Sequence, residues 1–261
     1  MIIQSVPIRH SLTLPAEPLT PSSFAPFGAV LANPAPATLP HANLSASALP
    51  SGVGATVANQ GTAIQYRALA PPLRDLYAQA ASARPSSPRT TIFVCGARDL
   101  APSTSGTREG LFEVKILERH PFTTQTFVPL GADAGTRYLV IVAPTLPPDA
   151  SSAVERELPV PATVSSGDAS LPGRGMPDLA NLRAFVATGA QAVTYGAGTW
   201  HAPMAALGRA GTAVDFVVVQ FANDVPVEDC QEVTLDGGEE GKGDVARIVV
   251  RVSGAPRESK L

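Results

Sequence analysis

The chain has 261 residues, a formal net charge of −3, and 16% charged against 44% hydrophobic residues, enough to bury a core and too apolar for a disordered tail. No run of Lys or Arg is present, which argues against nucleic-acid binding, and no apolar stretch approaches the ~20 residues needed to span a bilayer. Cys95 and Cys230 are the only cysteines, too few for a disulfide framework and in keeping with a reducing compartment.

The N-terminus lacks the basic and long apolar regions of a signal peptide. In chain order, 23–27 predicts one helical turn and 33–54 a loop rich in Pro, Ser and Ala. Leu73, Leu76 and Tyr77 have helical spacing, so 72–83 is expected to be a helix. Strands are expected at 91–97, 111–120, 124–129 and 137–143, with a loop at 99–110. After a longer loop at 145–177, further strands are expected at 184–188, 213–221, 231–235 and 246–252. The 26 prolines and 22 glycines suit short strands joined by turns. The fold class is all-β, with 1–261 forming one domain because no loop has core material of its own. The chain ends Ser259-Lys260-Leu261, which reads as a peroxisomal import address taken up by a receptor.

Within 111–120, Phe112, Val114 and Ile116 alternate with Glu113, Lys115 and Arg119 in the order a half-buried strand requires. The same parity places Glu118 and His120 with the apolar set, so both are expected to point inward at the strand's end. A carboxylate buried there needs a partner or a metal. Arg119 and Lys115 fall on the outward parity and read as structural. His10 and His41 lie in Pro-rich segments and carry no assigned role.

The spacing Glu118-x-His120-x4-Gln125 resembles the first metal-binding motif of the cupins, with Glu118 in place of a His and Gln125 in place of a Glu. Gly198-Thr199-Trp200-His201 resembles the second motif, which comes from a facing strand. A narrower resemblance follows from Glu118-Arg119-His120-Pro121, Thr124-Gln125-Thr126-Phe127-Val128-Pro129 and Leu182-Arg183-Ala184-Phe185. It extends through Gly189-Ala190-Gln191, Tyr195, Thr199-Trp200-His201-Ala202-Pro203, Asp215-Phe216 and Glu228-Asp229-Cys230. These segments look like the signature of ureidoglycolate lyases, in order and spacing from about residue 20 to 235.

The resemblance implies a cupin-type double-stranded β-barrel with inserted loops, paired as a homodimer. It also implies the cleavage of ureidoglycolate to glyoxylate and urea in allantoin breakdown. Such a cleavage needs a base for the hydroxyl proton, an acid for the departing nitrogen and positive charge for the carboxylate. Glu118, His120 and His201 are the candidate catalytic groups. Glu118, His120, Gln125 and His201 are the candidate ligands of a divalent metal (nickel, zinc or manganese), a mixed N/O set. A metal-free exchange of protons between Glu118 and His120 is the other reading. Arg183 is the candidate carboxylate clamp, because a guanidinium binds two oxygens in parallel. Gln125, Tyr195 and Trp200 are further candidate substrate contacts, and Cys230 reads as a buried structural thiol. Two other functions fit the same residues: an amidohydrolase that releases ammonia, and a non-catalytic cupin module that binds a small carboxylate.

Overall fold

The strand Arg137–Ala143 sets the layering. Successive side chains of a strand point to opposite faces. Leu139, Ile141 and Ala143 enter one apolar core, and Tyr138, Val140 and Val142 enter a second. None of these six is more than 2% exposed. The uninterrupted apolar run Tyr138–Val142 is what burial on both faces requires.

This strand belongs to a large sheet. Its order is Ile2–Pro7, Gln231–Asp236, Ile116–Arg119, Trp200–His201, Arg137–Ala143, Arg183–Thr188 and Glu17–Pro18, with Ala205–Leu207 also paired to Arg137–Ala143. A five-stranded antiparallel sheet contributes to the second core: Gly28–Ala32, Gln191–Tyr195, Gln125–Leu130, Ala213–Ala222 and Ser87–Gly96. Its Phe127, Val193, Tyr195, Phe216 and Val218 share that core with Val140 and Phe185. A four-stranded sheet serves the first core: Leu12–Pro15, Ile248–Ser253, Glu109–Glu113 and Ala101–Pro102. Phe112, Ile248, Val250 and Val252 from it join Leu139, Ile141 and Trp200. A hairpin, Ala55–Ala58 with Ala63–Tyr66, forms a separate two-stranded sheet.

The computed structural model describes residues 1–103, 109–133, 135–162, 171–238 and 245–254; the expected import address at 259–261, and parts of the loops at 99–110 and 145–177, lie outside them. The architecture is all-β, as expected, and is consistent with a cupin-like fold. Among the described residues the α-helices are the short Pro21–Phe24, Ala153–Glu157 and Pro226–Asp229. None is long and apolar enough to cross a membrane. The first matches the expected turn near 23–27. Thr20 Oγ1 accepts from the Ser23 N–H at 3.1 Å, and Pro21 presets the first turn. This turn drops Phe24 into the second core, edge-on to Phe185 and Tyr195. Burying such a ring contributes ~2–3 kcal/mol.

Two expectations are corrected. The helix over 72–83 reduces to one 3-10 turn, Tyr77–Gln79. Its backbone is satisfied elsewhere: the Leu76 N–H donates to the Phe122 carbonyl at 2.8 Å and the Arg74 N–H to Thr124 Oγ1 at 3.0 Å. Tertiary pairing has overridden a weak local preference. The expected strand 111–120 is two strands in two sheets, broken at Val114-Lys115. There the Val114 N–H still donates to Ile248 in the four-stranded sheet, while the Lys115 carbonyl accepts from Leu235 in the large one. The break reverses the side-chain parity. Ile116 becomes exposed, Leu117 and Arg119 become fully buried, and Glu118 turns to the opposite face.

Arg119 therefore points inward, contrary to the outward position expected of it. Its guanidinium lies 4.4 Å from the Trp200 ring centre. Nε donates to Gln231 Oε1 at 2.8 Å, Nη1 to the Gly173 and Gly175 carbonyls at 2.9 and 3.1 Å, and Nη2 to the Arg174 carbonyl at 3.3 Å. Burial lowers its pKa to about 9, opposed by the charge of Glu155, so it remains a cation at neutral pH. Arg119 thus pins the end of the 145–177 loop to the large sheet. Arg119→Met should keep much of the packing but leave these acceptors unpaired. A loss of about 3 kcal/mol is expected in urea unfolding; an unchanged midpoint would refute the pinning role.

Candidate active site

Glu118 and His201 are direct partners across adjacent strands, so both side chains leave the same face of the large sheet. His201 is also paired with Val142, which fixes that face as the one toward the second core. His120 follows the Ile116–Arg119 strand and joins them, its ring centre 5.5 Å from that of His201. Gly198 makes this approach possible. Its φ of +78° suits glycine, and its N–H donates to the His120 carbonyl at 2.8 Å. Potential ligand atoms of Glu118, His120 and His201 lie within 4.8 Å of one another. Tyr195 stacks on His201 with ring centres 4.0 Å apart and planes at 12°. Gln125 stands opposite Tyr195 in the five-stranded sheet.

The backbone orients both histidines. His120 Nδ1 is 2.7 Å from the Asp229 carbonyl and His201 Nδ1 is 2.9 Å from the Thr199 carbonyl. A carbonyl only accepts, so each Nδ1 carries a hydrogen, and a ring with that single hydrogen presents a lone pair at Nε2. Those Nε2 atoms, Gln125 Oε1 and the Tyr195 hydroxyl are buried without a hydrogen-bond partner. Leaving a buried polar group unsatisfied costs ~1–3 kcal/mol, so the two histidine nitrogens, in one cluster with Glu118, point to a ligand. Glu118 Oε1, 3.5 Å from His201 Nε2, is too distant to satisfy it well.

Burial pushes the Glu118 carboxyl up, but hydrogen bonding and charge from His201 and the charge of His120, which both rings bring when protonated, and the Cys230 thiol outweigh it, leaving the group below its ordinary value. Burial, with His201 beside it, holds His120 below the usual imidazole value against the opposing pull of Glu118 and Asp229. The result is an anionic carboxylate next to a neutral imidazole. Burial, then Tyr138 and Glu118, raise the Tyr195 phenol well above its usual value, so it stays protonated as a donor. Burial and Glu118 push the Cys230 thiol up to about 12. Its Sγ lies 3.9 Å from Glu118 Oε2, where it supports the carboxylate and is no nucleophile.

This donor set fits a divalent cation. Two imidazole nitrogens and a carboxylate oxygen form a mixed N/O set, and the backbone bonds at Nδ1 are the usual outer support for histidine ligands. Glu118, Cys230 and Glu232 form a second close group. There the Met1 ammonium, 3.2 Å from Glu232 Oε2, already supplies positive charge.

Two candidate substrate contacts fall elsewhere. Arg183 is paired with Val142, two strands from His201 and on the same face, roughly 10 Å away by strand spacing. It is engaged by Glu17 at 2.6 Å and the Ser23 carbonyl at 3.0 Å, where it braces the first helix. Trp200 precedes His201 and so takes the opposite face, in the first core beneath Arg119. Its Nε1–H donates to the Gly175 carbonyl. An open cleft of about 450 Å³ beside Phe27, Pro144, Pro172 and Thr199 has no titratable side chain in its lining and contains none of the donor set.

Sequence reasoning missed the supports. Asp229 was visible only as part of a family-like segment. Its carbonyl holds His120, while its carboxylate accepts from the Tyr77 hydroxyl at 2.7 Å and the Asn223 N–H at 2.9 Å. Glu228 anchors the same corner through Ser82 and Asn223. Gln220, which binds the Gln125 amide, carried no local signal at all.

Comparison with known proteins shows the family. A family model described as ureidoglycolate lyase matches residues 11–240. The ureidoglycolate lyase of Schizosaccharomyces pombe is 31% identical over 217 residues, covering 83% of this chain and 88% of its own length. That of Saccharomyces cerevisiae is 32% identical over 236 residues, covering 87% and 97%. One from Burkholderia mallei is 30% identical over 213 residues, covering 81% and 84%. With matches of this extent from fungi and a bacterium, the chain belongs to the ureidoglycolate lyase family.

Proposed function

We propose that the chain splits ureidoglycolate into glyoxylate and urea. The observation that carries this reading is the buried cluster of Glu118, His120 and His201, with both Nε2 atoms unpartnered, together with the unpartnered Gln125 oxygen and Tyr195 hydroxyl from paired residues of the five-stranded sheet. The substrate's central carbon bears a hydroxyl, a carboxylate and a urea nitrogen. Removing the hydroxyl proton lets its electrons form the aldehyde C=O as the C–N bond breaks; the departing nitrogen takes up a proton. No covalent nucleophile is needed.

Glu118 is the base. Its Oε1 faces His201 while Oε2 lies beside Cys230, so the carboxylate can take up a proton on one oxygen and keep the other on the donor set. The proton that Glu118 takes from the hydroxyl is passed to the departing nitrogen, while Tyr195, kept protonated and stacked on His201, donates a hydrogen bond to the substrate. His120, His201, Glu118 and the Gln125 oxygen would hold a divalent cation. Bound there, such an ion supplies Lewis acidity, which lowers a hydroxyl pKa and offsets carboxylate charge. That provides the positive charge that Arg183, committed to Glu17, does not bring.

The remaining reading is of the same kind. We take residues 1–261 as one cupin-type domain that acts in allantoin catabolism, pairs as a homodimer and is carried to the peroxisome by Ser259-Lys260-Leu261.

Product analysis tests the reaction. Purified protein given ureidoglycolate should release glyoxylate and urea in equal amounts. Ammonia in step with turnover would make it an amidohydrolase, and binding without turnover would make it a sensor module. Glu118→Gln should lower kcat by roughly 10²- to 10⁴-fold with the fold retained by circular dichroism. Activity near the unsubstituted level would remove Glu118 as the base.

A further inference from the structure

Gln125, Tyr195 and Gln220 come from three adjacent strands of the five-stranded sheet. The ladder pairs Gln125 with Tyr195, and the register Thr126 to Val219 continues to Gln125 opposite Gln220. Gln125 is only 4% exposed. Its Nε2 donates to Gln220 Oε1 at 2.7 Å, and its own Oε1 is left buried without a partner. A primary amide has two unlike ends. Turned over, Gln125 would present a donor to the donor set, and an NH₂ group has no lone pair to offer a cation.

We propose that Gln220 is a positioning residue: by accepting from the Gln125 NH₂ group, it holds the Gln125 carbonyl oxygen toward the ion as the fourth donor. The proposal rests on the cation reading of the site. Unlike the Asp229 and Thr199 carbonyls, which only accept, the Gln220 amide has two ends, and it is the oxygen that faces Gln125. Outer partners of this kind are typically worth 10- to 100-fold in metal affinity.

The test is calorimetric titration of Ni²⁺, which binds such sites more tightly than Mn²⁺, into metal-stripped full-length protein. Gln220→Met removes the acceptor at similar length and should weaken Ni²⁺ binding by about tenfold or more. Gln220→Glu still accepts and should bind at least as tightly as the unsubstituted protein. In a Gln125→Glu background the ligand has two equivalent oxygens, so Gln220→Met should change affinity by less than about twofold. Thermal melting checks that each variant is folded. If the unsubstituted protein binds Ni²⁺ and Gln220→Met binds equally well, Gln220 has no positioning role while the cation reading stands. If the unsubstituted protein takes up no Ni²⁺, both fall. A Gln220→Met defect that persists in the Gln125→Glu background would also overturn the proposal, since the loss would not run through the amide.

Discussion

Glu118 brings a negative charge to the inner face of the large sheet, beside two imidazoles whose hydrogens are drawn to backbone carbonyls on their far sides. An ionised carboxylate in a buried apolar setting is costly unless positive charge stands next to it. The facing Nε2 atoms of His120 and His201 have no hydrogen-bond partner and, with the hydrogens on Nδ1, offer lone pairs. In the proposed reading, a cation among these donors supplies the positive charge and satisfies the Nε2 atoms together. The rest of the site can be understood from this constraint. The Asp229 corner, the Thr199 carbonyl, the Cys230 thiol and the Tyr195 ring each hold one donor in a single orientation.

The same strand feeds both faces of the sheet. Glu118 looks toward the second core, and Arg119, its neighbour in sequence, looks into the first beneath Gly175 of the 145–177 loop. His201 and Trp200 divide in the same way on the next strand. Two adjacent strands thus carry the chemistry on one side and the anchoring of an inserted segment on the other. Closely spaced motif residues need not share a role. Alternation along a strand separates them by the full thickness of the sheet.

That alternation also explains what could be read from the sequence. The spacing Glu118-x-His120-x4-Gln125 and the segment Gly198–His201 marked the cluster, because residues joined by a strand end and a tight turn keep their relation in any barrel of this kind. The all-β class followed from short apolar runs between turns. The sheet change at Val114-Lys115 left no trace, since both halves of 111–120 alternate correctly and only the register between them slips. This slip inverted the expectation for Arg119. Arg183 looked like an anion clamp because sequence shows a guanidinium but not the Glu17 that occupies it. Backbone carbonyls such as those of Asp229 and Thr199 are invisible by nature, since every residue has one. Gln220 was hidden because its partner lies far away in the chain and meets it only through the ladder.

The most direct measurement is turnover of ureidoglycolate by the purified full-length protein before and after chelation, with metal content determined on the same samples. A bound cation predicts close to one divalent ion per chain, loss of turnover when it is stripped, and recovery when nickel, zinc or manganese is returned. Full turnover by protein shown to be free of metal would contradict the cation and leave proton exchange between Glu118 and His120 as the chemistry of the site.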